Sequence, residues 1–147
     1  MGLLDDIETV GIGSRRFEPT WAASGRLTTA AETAKRVIAG EPVLSAVRDL
    51  LDQGGRASAE ELDATLAEAP VLTGLRRADA LIAGVVEHLA VSAHRDVPRW
   101  TDEPERFCDA FWFVTNTPGL RAISLAQSPI ALKRRGIMWP ARSMQRI

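Results

Sequence analysis

The chain has 147 residues, an apolar share of 46% and a formal charge of −1, enough to build one domain around a real core. A lone cysteine, Cys108, excludes an internal disulfide framework. No apolar run approaches the ~18 residues of a membrane-spanning helix, and Asp5, Asp6 and Glu8 stand where a secretion signal would be basic and then apolar. The expectation is a cytoplasmic protein with no membrane partner.

Ala and Leu dominate the apolar residues and Tyr is absent, which favours helices over sheet. The predicted fold is all-α: a single domain of about five to seven helices, with an aromatic-anchored extended segment and one short strand near the C-terminus. The predicted organisation is an irregular N-terminal arm over residues 1–26 and a helical domain over 27–147. Within that domain, 27–70 forms acidic helical hairpins and 74–147 a C-terminal module.

In the arm, Gly11, Gly13, Pro19 and Gly25 interrupt every candidate period, and Trp21 is the one large anchor. Gly11-Ile12-Gly13-Ser14 opens like a phosphate loop but lacks the later Gly or Gly-Lys-Ser/Thr of the known loops, so it reads as a turn. Thr28 or Thr29 caps a helix with Glu32 placed for a capping box, and Gly40 ends it after Ala39. Pro42 suits the first turn of the next helix, whose apolar face is Val43, Leu44, Val47, Leu50 and Leu51. Ser58, followed by Glu60 and Glu61, caps a third helix with a narrow Leu62/Leu66 stripe, stopped by Pro70.

Thr73 opens the strongest helix, running to about Ala93. Leu75, Ala78, Ile82, Val85 and Leu89, joined by Leu81 and Val86, form a broad stripe that predicts the central core element. The same spacing allows a homo-oligomeric seam, although the stripe is short for a coiled coil. Pro98, Trp100 and Pro104 then impose extended backbone. Thr101 or Asp102 caps a short helix towards Phe107, with Phe107, Phe111 and Trp112 spaced for helical packing. Thr117-Pro118 starts another helix bearing Leu120, Ile123 and Leu125, with Arg121 outward. Ser128-Pro129 caps the next, which carries Ile130, Leu132 and Lys133-Arg134-Arg135 and stops at Gly136. Ile137-Met138-Trp139 reads as a short strand or extended segment, and Pro140 to Ile147 closes with a helical turn.

Charge is distributed unevenly. Seven acids against two arginines lie between Glu41 and Pro70, whereas no Asp or Glu follows Asp109. The acidic middle either neutralises the basic end within one fold, or the basic end meets an anionic partner. Lys133-Arg134-Arg135 admits both views. It sits at a helix C-terminus, where cations are favoured, and it could form a binding edge with Arg121, Trp139 and Arg142. These six residues are the candidate partner-binding set.

Catalytic chemistry finds no foothold. Cys108 with His88 or His94 would make a nucleophile pair, but aromatic neighbours raise a thiol's pKa rather than lower it. His88, His94, Asp96 and Cys108 lack a known ligand spacing, and Asp5-Asp6 and Glu60-Glu61 are adjacent pairs that point apart on a helix. The reading is no enzyme, no cofactor and no metal. A helix-turn-helix over Ser128–Ile147 is the route to DNA binding, with the bulky Ile137-Met138-Trp139-Pro140 turn against it.

The stretches ADALIAGVVEHLA (78–90), VPRWTDEPERFCDAFWFV (97–114) and PGLRAISLAQSPIALKRRGI (118–137) resemble a group of small actinobacterial antitoxin-like proteins. The likeness is carried by Trp100, Pro104, Arg106, Phe107, Trp112, Phe113, Leu120, Arg121, Ala122, Ser128, Pro129, Arg134, Arg135 and Gly136. It covers roughly residues 74–147. In that group the module often follows a helix-turn-helix domain of the XRE type, and the gene tends to lie beside one for a nucleotidyltransferase-like toxin. The resemblance implies a toxin-antitoxin system in which this chain neutralises a cognate toxin by direct binding. The alternative is a nucleic-acid-binding transcriptional regulator using the basic end. The chain departs from the pattern in its first 70 residues, which lack a helix-turn-helix signature. It departs also at Leu132-Lys133, where the group tends to have Phe-Arg, and in its RSMQRI end.

Overall fold

The structure, a computed structural model, describes residues 28–115 and 117–144. The arm over 1–26, with Trp21 and the Gly11–Ser14 turn, and Arg146 lie outside the described residues. Among those described, seven α-helices and one two-stranded pair make up the domain: α1 (Ala30–Ile38), α2 (Val43–Gly54), α3 (Ala59–Ala67), α4 (Arg76–Ser92), β1 (Trp112–Phe113), α5 (Arg121–Gln127), α6 (Ile130–Lys133), β2 (Ile137–Met138) and α7 (Ala141–Met144). None of these helices is long and apolar enough to cross a membrane.

The N-terminal hairpins form where local chemistry places them. Glu32 N–H donates to Thr29 Oγ1 at 3.0 Å and Thr29 N–H to Glu32 Oε1 at 3.2 Å, closing a capping box on α1. Gly40, at φ +112°, ends that helix, with Glu41 N–H donating to Arg36 O at 3.0 Å. Ser58 and Glu61 repeat the capping box on α3. Arg36 ties α1 to α2 through Glu41 (Nε to Oε1 2.8 Å) and Asp49. Thr28 and Gln53 exchange two buried hydrogen bonds across the same pair, at 2.6 and 3.0 Å.

α4 is the axis of the molecule. It packs on α1, α2, α3, α6 and the turns that follow it, and every residue from Ala78 to Val86 is buried. From Ala78 on, the predicted one-sided stripe is thus enclosed on all sides, because Ala80, Ala83 and Gly84 offer close approach where the stripe does not run, whereas its first predicted member, Leu75, stands ahead of the helix and is 60% exposed. At Gly84 an added Cβ would lie 2.4 Å from Leu132 Cδ2, so this glycine marks the crossing of α4 and α6. The helix starts at Arg76 rather than Thr73. Thr73 sits ahead of it and donates its N–H to the buried Asp79 carboxylate at 2.9 Å. His94, at φ 57°, terminates it in the left-handed role usually taken by glycine, with Arg95 N–H donating to Ala90 O at 2.8 Å.

The aromatic stretch departs most from expectation. The predicted helix towards Phe107 is two 3-10 turns, Arg99–Asp102 and Pro104–Arg106. Phe107, Phe111 and Trp112 share no helical face, because Trp112–Phe113 is a strand pairing in parallel with Ile137–Met138, Trp112 opposite Ile137. Trp112 N–H donates to Gly136 O at 2.8 Å and Val114 N–H to Met138 O at 3.1 Å. A parallel pair needs a crossover, and α5 and α6 supply it. Thr117-Pro118 forms a turn with Gly119 at φ +88°, so α5 starts only at Arg121. Ser128 does not cap α6, whose N-cap is Pro129; it closes α5 instead, its N–H and its Oγ–H both donating to Ser124 O, the latter at 2.6 Å.

Candidate functional site

The basic run does not project as a unit. Arg135 is wholly buried. It donates to the Glu87 carboxylate, to Ala131 O at 2.8 Å and to Thr101 O at 2.7 Å. Burial pushes its guanidinium below the ordinary arginine value, with Glu87 acting in the opposite sense. Arg134 is 40% exposed and joins Glu87 at 3.0 Å and Asp102. Both guanidiniums lie at the Phe107 ring, 5.2 Å from its centroid for Arg134 and 4.9 Å for Arg135.

The same device recurs across the module. Arg106, buried, stacks on Trp100 at 4.8 Å and donates to Pro70 O at 2.7 Å. Arg77 lies over Trp112 at 5.3 Å and Arg48 over Trp139 at 5.5 Å. Arg76 donates to Phe107 O at 2.8 Å. Within the C-terminal signature Trp100 thus pairs with Arg106 and Phe107 with Arg134 and Arg135, while Arg76 and Arg77 of α4 fasten Phe107 and Trp112 to that helix.

This corrects the candidate set. Arg135 and Trp139 are interior residues and offer no surface to a partner, because the guanidinium satisfies carbonyls of two segments and the indole fills the core. Arg134 reaches the surface but is held by two carboxylates. Arg121 is exposed and lies over Phe113 at 5.1 Å. Lys133 is half-buried, its Nζ 3.5 Å from Ala126 O, and Arg142 is exposed on α7.

A surface feature that the periodicity did not announce lies on α5. Its buried residue is Ser124, and Ser128 just beyond is buried too, while Leu125 is 48% exposed. Leu120 (38%), Ile130 (71%) and Phe111 (71%) are also exposed. The pair of small residues four apart, Ser124 and Ser128, was the available signal. It lets α5 lie close against β2 and turns the leucines outward. Val71, Leu72 and Leu75 form another exposed apolar run, ahead of α4.

A cleft of about 720 Å³ opens between α3 and the segment after α4, lined by Asp63, Leu66, His94, Arg95, Arg99 and Trp100 among others. One ion pair lies in its wall: Arg95 Nε donates to Asp63 Oδ1 at 3.1 Å, and this bond holds the Asp63 carboxyl below its usual value. Trp100 Nε1 donates to Leu66 O at 3.0 Å. Elsewhere burial raises the half-buried Cys108 thiol and lowers the His88 imidazole. Among the described residues, no group of three His, Cys, Asp or Glu side chains is placed to hold a metal ion.

No protein-family model, curated protein or solved structure matches this chain.

Proposed function

We propose that this chain is a non-enzymatic protein-binding module that acts as an antitoxin, neutralising a cognate nucleotidyltransferase-like toxin by direct contact. The observation that carries the reading is the reversed polarity of α5, which buries serine and exposes leucine. Close packing of Ser124 against β2 turns Leu125 outward, and large apolar side chains left exposed in this way are of the kind that a second protein covers. The C-terminal resemblance supports the same reading and supplies the class of partner.

A nucleic-acid reading draws less support. Phosphate binding rests on cations held at the surface, and of the predicted cations Arg135 is interior while Arg134 is engaged by Glu87 and Asp102. The test is coexpression with the product of the adjacent gene. Copurification and rescue of growth from that product are expected. A chain that neither binds it nor restores growth overturns the reading.

A further inference from the structure

We infer that the cleft between α3 and the segment after α4 is a binding site for an extended peptide, held along its main chain by the backbone of the two walls. This goes beyond the antitoxin reading and is tested without the toxin.

The walls follow from two X-Pro steps. Ala69 precedes Pro70 and Val97 precedes Pro98, and a residue before proline is biased to extended backbone. α3 accordingly gives way to extended backbone at Glu68, with φ −79° and ψ 126°. On the other wall His94, at φ 57°, turns the chain out of α4 into a run that ends on Pro98 at φ −60° and ψ 139°. Ala69, Asp96 and Val97 all line the cleft. Among the described residues, their main-chain N–H and C=O groups pair with no other backbone group. The walls are also fastened to each other. Pro70 has no N–H to offer Leu66 O four residues back, and Trp100 Nε1 donates to that carbonyl instead at 3.0 Å. Arg95 Nε meets Asp63 Oδ1 at 3.1 Å. The cleft is thus preformed, which spares a ligand the cost of ordering it.

The lining selects the occupant. Its volume of about 720 Å³ lies in the range of ligand sites. Asp63 and Asp96 stand against Arg95 and Arg99, so a polyanion such as nucleic acid meets as many carboxylates as guanidiniums. Main-chain donors and acceptors left open on extended segments are what an added strand uses, with pockets for its alternate side chains. Ala67 and Ala69, both exposed, keep the cleft open to such side chains. Leu66 and Trp100, both buried, give one of them an apolar floor.

The test pans a displayed library of random peptides on the full chain and titrates the enriched sequences as synthetic peptides. Ala67→Trp combined with Ala69→Trp fills the cleft from exposed positions, and thermal melting controls for folding. The filled variant is expected to bind about 10-fold or more weakly. Exchange of the Asp96 and Val97 amide hydrogens in wild type is expected to slow when peptide is added. Methylating single peptide nitrogens is expected to weaken binding at alternate positions, as strand pairing requires. A library that yields no binder, or binders that hold the filled variant as tightly as wild type, overturns the inference and leaves the protein-binding reading standing. Should the tryptophans lower the melting temperature, the exchange measurement decides on wild type alone, and unchanged exchange at Asp96 and Val97 overturns it. Binding that tolerates methylation at every nitrogen shows recognition by side chains only, and overturns the main-chain pairing. Self-association in sedimentation that the filled variant abolishes makes a second copy the occupant, and overturns the inference as well.

Discussion

Replacing Arg135 by alanine separates a structural arginine from a binding one. In the folded protein its guanidinium serves Ala131 O, Thr101 O and Glu87 with no exposure to solvent. The variant strands two carbonyls, at a cost of roughly 1–3 kcal/mol each. It also removes one of the two cations at Glu87, whose side chain is only 13% exposed. The charge no longer needs burying, which returns part of that loss. The net expectation is about 3–5 kcal/mol, the usual result of breaking one side of a buried ion pair. For a domain of this size that is a fall in melting temperature of roughly 10–20 °C. Arg134→Ala is the internal control. Its partner Asp102 is 66% exposed, so the expected loss is about 1 kcal/mol or less. Thermal denaturation followed by circular dichroism measures both. An Arg135→Ala protein melting within about 2 °C of wild type, or one losing no more than Arg134→Ala, refutes the assignment of Arg135 to the interior.

Gly84→Ala should destabilise by about 1–3 kcal/mol, since the new methyl meets Leu132 and overpacks the α4–α6 crossing. Helix propensity alone predicts a gain of about 1 kcal/mol, so the sign of the change in urea denaturation decides. Trp139→Ala should cost about 3–5 kcal/mol, and a melting temperature unchanged from wild type would return Trp139 to the surface. Stability should also fall on acidification through His88. Burial holds its folded pKa below the unfolded value, so the contribution is complete above pH ~6.5. It is lost as the pH drops from there towards the folded value, because the unfolded chain takes the proton first, at no more than about 1.4 kcal/mol per pH unit. His88→Gln should flatten the stability profile between about pH 7 and 5, and identical slopes would show that His88 titrates alike in both states.

Local chemistry settled much of this protein. Thr29 with Glu32, Ser58 with Glu61, and Gly40 mark helix ends through bonds within a few residues, and the stripe from Leu75 to Leu89 names the core helix without reference to any neighbour, although Leu75 itself falls outside the core. The all-α character and the short strand at Ile137–Met138 follow from the same reasoning. Tertiary structure decided the rest. The pairing of Trp112–Phe113 with Ile137–Met138 joins segments some two dozen residues apart in the chain, beyond the reach of any periodicity. The fate of three consecutive cations turned on where Glu87, Asp102 and Thr101 lie in space: one is half-buried, one bridges two carboxylates, and one is interior. A basic run shows charge but not the acids and carbonyls that meet it after folding. For the same reason the exposure of Leu125 on α5 is not legible in the sequence, since an apolar residue at helical spacing names a face and only the packed neighbours say which way that face turns.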